Sequence, residues 1–298
     1  MVAVVFGARG NVGRHVAAGL LARGVRVRAI SRNPGPGSGP GSDGGTPGTA
    51  TAPTALGTEV TEVVAADLDR PETLPPVLVG ADRVFLYAKP EGISGFVQAA
   101  EAAGVRHVVF LSSSTVASPD AESSPIARMH RTVEQAIERS NLDWTFLRPG
   151  TFATNTQARW SETIRAENVV RLPYPEAQSA PVHEKDIAAL AVTALSEPGH
   201  SRQAYTVFGS ESLTLRRQAE LIGEAIGKRI RVEVVSPDQA RAELGKTVPF
   251  SFIADAIVDQ WADGDGVPAP ISVIVDKVTG QPAHTFAEWA VDHADDFR

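Results

Sequence analysis

Three glycines, Gly7, Gly10 and Gly13, recur at every third position directly after the apolar run Val2-Ala3-Val4-Val5-Phe6. Each removes a side chain that would block something. Gly7 permits a tight turn out of a strand, and Gly10 lets a ligand approach the backbone. Gly13 lets the following helix pack against the sheet. The loop Gly7-Ala8-Arg9-Gly10-Asn11-Val12-Gly13 therefore predicts strand, turn and helix in immediate succession, with the helix over about Asn11–Arg23. The N-terminus of that helix presents free N–H groups and the positive end of its dipole, which suit a phosphate. The pyrophosphate of a dinucleotide is the ligand that this pattern fits.

The first half continues in the same rhythm. β-Branched runs at Arg26–Ile30, Val60–Ala65, Arg83–Ala88 and His107–Ser112 read as strands, and Glu72–Val79 and Ile93–Ala103 as helices between them. Repeated βα units imply right-handed crossovers and a parallel sheet with helices on both faces. The expected fold is thus α/β: a Rossmann doubly wound parallel sheet over 1–150, with a smaller C-terminal α/β cap. The Gly, Pro, Ser and Thr of Asn33–Gly57 have little to bury, so this stretch reads as a flexible insertion. Beyond a helix at Ser124–Ser140 and a strand at Trp144–Leu147 the pattern loosens. Helices are expected at Phe152–Ala166, Glu184–Leu195, Thr214–Ile226, Pro237–Leu244, Phe250–Trp261 and Phe286–Ala294. Strands are expected at Tyr205–Phe208 and Ile230–Val235, and a strand or loop through Pro173–His183. Residues 151–298 read mostly as a substrate-binding cap, with some segments returning to the first domain.

Composition narrows the function. A net charge of −7 argues against a nucleic-acid surface, and the absence of cysteine removes disulfides and thiol catalysis. No apolar run approaches the roughly 20 residues that span a bilayer, and the N-terminal run lacks the basic flank of a signal segment. A cytoplasmic protein acting on a small molecule is expected, with a homodimer left open. The histidines His183, His200, His284 and His293 are scattered in sequence, and no metal-ligand spacing is recognisable.

The end of the second strand chooses between cofactors. An acid there would bind the ribose 2′-OH of NADH, whereas a cation suits the 2′-phosphate of NADPH. The chain has Ser31-Arg32, and Arg9 in the glycine loop can bracket the same phosphate with a second guanidinium fork. NADPH is therefore expected over NADH. Asp67-Leu68, after the third strand, is placed either to reach the adenine or to cap a helix.

With later motifs added, the chain resembles the NmrA-like branch of atypical short-chain dehydrogenases, which includes isoflavone-reductase-like enzymes and NADPH:quinone reductases. Gly7–Gly13 matches the GxxGxxG loop, and Val109-Phe110-Leu111-Ser112-Ser113 the fifth strand. Glu134, Leu142, Thr145, Leu147-Arg148-Pro149-Gly150 and Phe152 match its "E…L…T.LRPG.F" signature, followed by Asn155. Val182–Ala189, with Asp186, is similar to its "DIA" segment. Phe208-Gly209 through Leu213-Thr214 and Thr279-Gly280-Gln281-Pro282 with Thr285-Phe286 resemble later segments. The resemblance implies that Tyr87-Ala88-Lys89 runs along the cofactor, Lys89 touching phosphate or ribose. It also implies that Pro149-Gly150-Thr151-Phe152 lies under the nicotinamide, Phe152 either stacking there or filling the core.

The resemblance also exposes a departure. Carbonyl-reducing members use a Tyr-x-x-x-Lys pair, and the corresponding positions here are Ile126 and His130. Of the two residues with an expected catalytic role, His130 can contact the nicotinamide ribose or donate a proton, with an ordinary imidazole pKa near 6.5. Ser113, with Ser112 and Ser114 beside it, can orient a substrate; Ser112 also counts among the expected cofactor contacts. Hydride transfer to a quinone or another conjugated acceptor needs little help from a protein acid, and is the leading expectation. A non-catalytic NADP(H) sensor and a non-redox enzyme of secondary metabolism, performing a cyclisation or epimerisation, are the alternatives.

Overall fold

The structure, a computed structural model, describes residues 1–32, 62–248 and 250–298. The expected Asn33–Gly57 insertion lies outside the described residues, as does the third strand before Glu62. In chain order the strands are β1 (Val2–Phe6), β2 (Arg26–Ser31), β3 (Glu62–Ala65), β4 (Arg83–Tyr87), β5 (His107–Leu111) and β6 (Asp143–Pro149). There follow β7 (Val169–Leu172), β8 (Gln178–Ser179), β9 (Gln203–Val207), β10 (Leu213–Thr214) and β11 (Arg231–Val234). The helices are α1 (Gly13–Ala22), α2 (Leu74–Leu78), α3 (Ile93–Ala102), α4 (Pro125–Glu138), α5 (Thr154–Glu167) and α6 (Glu184–Ser196). After them come α7 (Leu215–Ile226), α8 (Pro237–Leu244), α9 (Ser251–Asp263), α10 (Ile274–Thr279) and α11 (Phe286–Asp292).

These elements form two compact units. The first comprises Met1–Pro149, Lys185–Val207 and Lys277–Gly280. Its seven strands make one sheet in the order β3-β2-β1-β4-β5-β6-β9, parallel at every pairing. This is the doubly wound Rossmann arrangement. Central strands buried on both faces must be apolar throughout, as Ala3, Val4, Val5 and Phe6 of β1 are. Leu74, Val77, Phe96, Val133 and Ile137, from α2, α3 and α4, join one core cluster with Val4, Phe6, Val84 and Phe110. α1 and α6 lie side by side, since a Cβ on Gly19 would press against the Val192 side chain. The chain order reverses between β1 and β4, and open α/β sheets bind ligands at the carboxyl ends of the strands at such a switch point.

The second unit comprises Gly150–Glu184, Phe208–Asp276 and Gln281–Arg298. β11 pairs parallel with β7, and β10 antiparallel with β8. Trp160 and Ile164 of α5, Ile222 of α7, Trp261 of α9, Trp289 of α11, and Phe297 build its core. Local signals fix the helix starts: Thr214 caps α7, while Ser236 with Gln239 and Thr285 with Glu288 form capping boxes on α8 and α11.

Several expected boundaries shift for identifiable reasons. The Glu72–Val79 helix is a 3₁₀ turn at Pro71–Thr73 followed by the short α2, because Pro71, Pro75 and Pro76 remove backbone donors. The helix expected from Phe152 begins at Thr154, since Phe152 instead forms a bridge with Val182. Only Gln178–Ser179 of Pro173–His183 is a strand. β7 and α10 are additional elements that the sequence pattern had not separated from their surroundings.

Candidate functional site

The first unit concentrates its special backbone geometry at the carboxyl ends of β1 and β4. Gly7 has φ +67°, in the left-handed region that favours glycine, and its carbonyl accepts from Gly10 N at 2.8 Å. A Cβ on Gly13 would collide with the Gly7 carbonyl, so the residue that opens α1 has no room for a side chain. A Cβ on Gly7 would lie 3.2 Å from the Tyr87 ring, which brings the end of β4 against the loop. Val12 at the helix start supplies no capping side chain, and the first turn holds no acid. The first turn thus brings no carboxylate of its own to the positive end of the helix dipole.

Arg32 follows β2 directly, is exposed, and makes no ion pair among the described residues; its charge reaches the Tyr87 hydroxyl. Arg9 is exposed on the loop. Asp67, half-buried, accepts from Asp69 N at 3.1 Å through its carboxylate. It does not cap the following 3₁₀ turn, whose cap position is Arg70, so the capping role expected for it is not what the fold uses. Leu68 is buried, with its carbonyl against Gly92. Lys89 is tied to Asp69 at 2.8 Å, and Ala88 beside it is half-buried.

A buried ionic network lies at the carboxyl ends of β5 and β6. Glu134 of α4 is completely buried. Its Oε1 accepts from Ser112 Oγ at 2.7 Å and Arg148 Nε at 2.8 Å. Its Oε2 accepts from Arg148 Nη2 at 2.8 Å and Arg131 Nη1 at 3.1 Å. One carboxylate thereby clamps two strand ends to a helix. The Ser112 hydroxyl is spent on this clamp, while the Ser113 hydroxyl accepts from Thr115 N at the start of a short 3₁₀ turn. Pro149 closes β6; Gly150, Thr151 and Phe152 open the second unit, where Thr151 O accepts from Val182 N and Phe152 is half-buried. The clamp was not assigned by sequence reasoning, although Glu134 and Arg148 were both noted as signature residues.

His130 lies one turn before Glu134 on α4, its ring 6.1 Å from that of Phe110. Its Nδ1 is buried and, among the described residues, has no hydrogen-bond partner. Burial pushes the imidazole down to about 4, and the nearby Glu134 carboxylate offsets little of that. The expectation of an ordinary pKa near 6.5 is corrected accordingly: this ring is neutral at physiological pH. Ile126 stands four residues earlier on the same helix. A glycine cradle that a Cβ would fill, together with an orphaned imidazole nitrogen, fits a dinucleotide whose hydroxyl can complete that nitrogen's bonding.

Three of the four scattered histidines turn out to be neighbours in the second unit, while His200 lies in the first, its Nδ1 2.9 Å from the Tyr205 hydroxyl. The rings of His183 and His284 are 4.7 Å apart, and His293 Nε2 lies 2.7 Å from Glu184 Oε1. Among the described residues no group of His, Cys, Asp or Glu has the arrangement of a metal site. Nor, among those residues, is any helix long and apolar enough to cross a membrane.

Sheet order, glycine cradle and open helix terminus define the class: a Rossmann protein built for a dinucleotide. The chain belongs to the NAD(P)H-binding family, whose model matches residues 7–198, and within it to the NmrA-like atypical short-chain dehydrogenases. It is 39% identical to the (4-alkanoyl-5-oxo-2,5-dihydrofuran-3-yl)methyl phosphate reductase of Streptomyces griseus, over 99% of this chain and 98% of that protein. It is 35% identical to the NAD(P)H azoreductase of Xenophilus azovorans, over 78% and 82%. Its fold is that of the NADPH-dependent quinone oxidoreductase of Escherichia coli solved with NADPH, with TM-score 0.76 and 24% identity over 98% and 99%. The chain is an NAD(P)H-dependent oxidoreductase.

Proposed function

We propose that the chain uses NADPH to reduce a conjugated small-molecule acceptor, a quinone or an alkene or azo group in conjugation, without a Tyr-x-x-x-Lys pair. The observation that carries this reading is His130: a neutral ring with an unmet nitrogen, on a helix that offers no tyrosine. When bound, NADPH supplies a hydride, which the acceptor takes up with one proton from solvent. An acceptor whose incoming charge spreads over a π system needs no strong protein acid, which matches a site with a neutral imidazole. The S. griseus relative is named for a ring alkene conjugated with carbonyl groups, and the X. azovorans relative for an azo bond; both are acceptors of this kind.

The chain's own residues divide the binding. Gly7, Gly10 and Gly13 with Asn11 and Val12 hold the pyrophosphate. Arg32 and Arg9 meet the 2′-phosphate, and Asp67 and Leu68 border the adenine. Tyr87, Ala88 and Lys89 flank the phosphates and ribose. His130 bonds a nicotinamide-ribose hydroxyl, Ser112 and Ser113 border the nicotinamide, and Pro149 to Phe152 support the ring. The test is NADPH oxidation against menadione, an azo dye, an alkanoyl butenolide phosphate and an isolated ketone. The three conjugated acceptors are expected to turn over and the ketone to be inert. His130→Ala should slow turnover or weaken NADPH, and the wild-type rate should show no step near pH 6.5. Turnover of the ketone alone, or of nothing, would reject the reading.

A further inference from the structure

β11 is an outer strand of the second unit, and among the described residues only β7 borders it. Arg231 N donates to Asn168 O at 2.9 Å, and Val235 N to Leu172 O at 3.1 Å. Backbone groups alternate in direction along a strand, so the N–H and C=O groups of Val232 and Val234 face the open edge. Side chains alternate too, between the two faces. One face carries Ile230, which is buried, Val232, which packs against the core, and Val234, which is 68% exposed. The other carries Arg231 and Glu233, whose charged groups lie 3.4 Å apart, with Arg171 of β7 3.2 Å from Glu233. Between α7 and the 228–233 segment the fold leaves a groove of about 750 Å³.

An unpaired edge is a template for a further strand, and charge on the edge usually blocks it. Here the charges match a second copy of themselves. Two copies can exchange backbone bonds across a two-fold axis only through an outward-facing residue, which leaves Ile230, Val232 or Val234 as the centre. Centring on Ile230 would set Arg229 of one copy against Arg231 of the other, and centring on Val234 would set Glu233 against Val235. Centring on Val232 sets Arg231 of each copy against Glu233 of the other. Each Glu233 then lies between two guanidiniums, Arg171 in register with it on its own β7 and Arg231 across the axis. The same register lays Ile230 of one copy beside the exposed Val234 of the other, covering an apolar side chain otherwise left in water. We propose that β11 is a self-association edge: two copies pair their β11 strands antiparallel about Val232, and two two-stranded sheets become one of four strands. Such a two-fold contact uses the same edge on both copies and therefore closes at a dimer.

The test is sedimentation velocity on the full chain over about two decades of concentration, across which the wild type should pass from monomer to dimer. Val232→Pro removes an outward N–H but no bond to β7, and should weaken the dimer about 10- to 100-fold, since the symmetry doubles the loss. Arg231→Glu and Glu233→Arg each set like charges opposite one another, and each alone should weaken the dimer about tenfold or more. Mixed in equal amounts, these two variants should recover most of the affinity as a heterodimer, because every opposed pair is again of opposite sign. The double change Arg231→Glu with Glu233→Arg should self-associate for the same reason. Thermal unfolding checks that each variant is folded, and the mixture carries the test should the proline variant fold poorly. A wild type that stays monomeric throughout, or a dimer indifferent to all three single changes, would overturn the proposal. So would a dimer weakened by both charge reversals yet not restored in the mixture, because the two charges would then not face each other.

Discussion

In the proposed reading, cofactor choice turns on Arg32. It is exposed at the end of β2 with no described carboxylate to hold it, so its charge is available to a 2′-phosphate. Arg32→Ala should reduce the preference for NADPH over NADH by about 1.5–3 kcal/mol, the range of one charged hydrogen bond. Titration of protein fluorescence with each cofactor measures this, and equal ratios in wild type and variant would reject the role. The turn at Gly7, Gly10 and Gly13 was legible in the sequence because it acts through local chain geometry. Glu134 was not, because its meaning depends on Ser112 and Arg148, which lie 22 and 14 residues away in sequence.

At the scale of elements, the first unit reads well because β-branched runs and amphipathic helices alternate with clear breaks. β7 escaped notice because Val169-Val170-Arg171-Leu172 follows α5 with only Asn168 between them. Asn168 takes a left-handed conformation with φ +53°, and asparagine marks such a stop less plainly than glycine would. The most consequential link between elements is the Glu134 clamp. Glu134→Gln keeps the shape but leaves Arg148 facing a neutral amide, and breaking a buried pair in this way costs about 3–5 kcal/mol. Urea unfolding should show that loss. Replacing Glu134 and Arg148 together by Leu and Met should recover part of it; if the single change is silent, the carboxylate is not holding the strand ends.

For the molecule as a whole, buried histidines set the response to acid. His107, buried in the first unit beside Thr145, is pushed down to about 4 chiefly by desolvation, like His130. A depressed histidine pKa means that the unfolded chain binds the proton first. Stability is therefore complete above about pH 6.5 and lost as pH falls towards 4. His107 alone should cost about 2 kcal/mol between pH 7 and pH 5. His293 works the other way, its pKa raised first by its hydrogen bond to Glu184, so its contribution is present at low pH and fades as pH rises through its folded value. Glu184, held down by His183 and His293 against its own burial, contributes above its ordinary range and loses that contribution on further acidification. Denaturant midpoints across pH 7 to 5 should fall in the wild type and fall less in His107→Gln. A flat wild-type profile would contradict the burial of both rings.

The interleaving of the two units has a consequence for how the chain is made. β6 ends at Pro149, yet its sheet neighbour β9 begins only at Gln203, and the whole of β7 and β8 is translated in between. At ribosomal speeds of roughly 5–20 residues per second, β6 therefore waits several seconds as an open edge on a nascent sheet. The second unit waits longer still, because Phe286, Trp289 and Phe297 of its core come from its third segment, Gln281–Arg298. Much of a polypeptide's vulnerability to trigger-factor-like holdases, proteases and self-association is set in such intervals. For this chain they fall between synthesis of Pro149 and synthesis of Phe297.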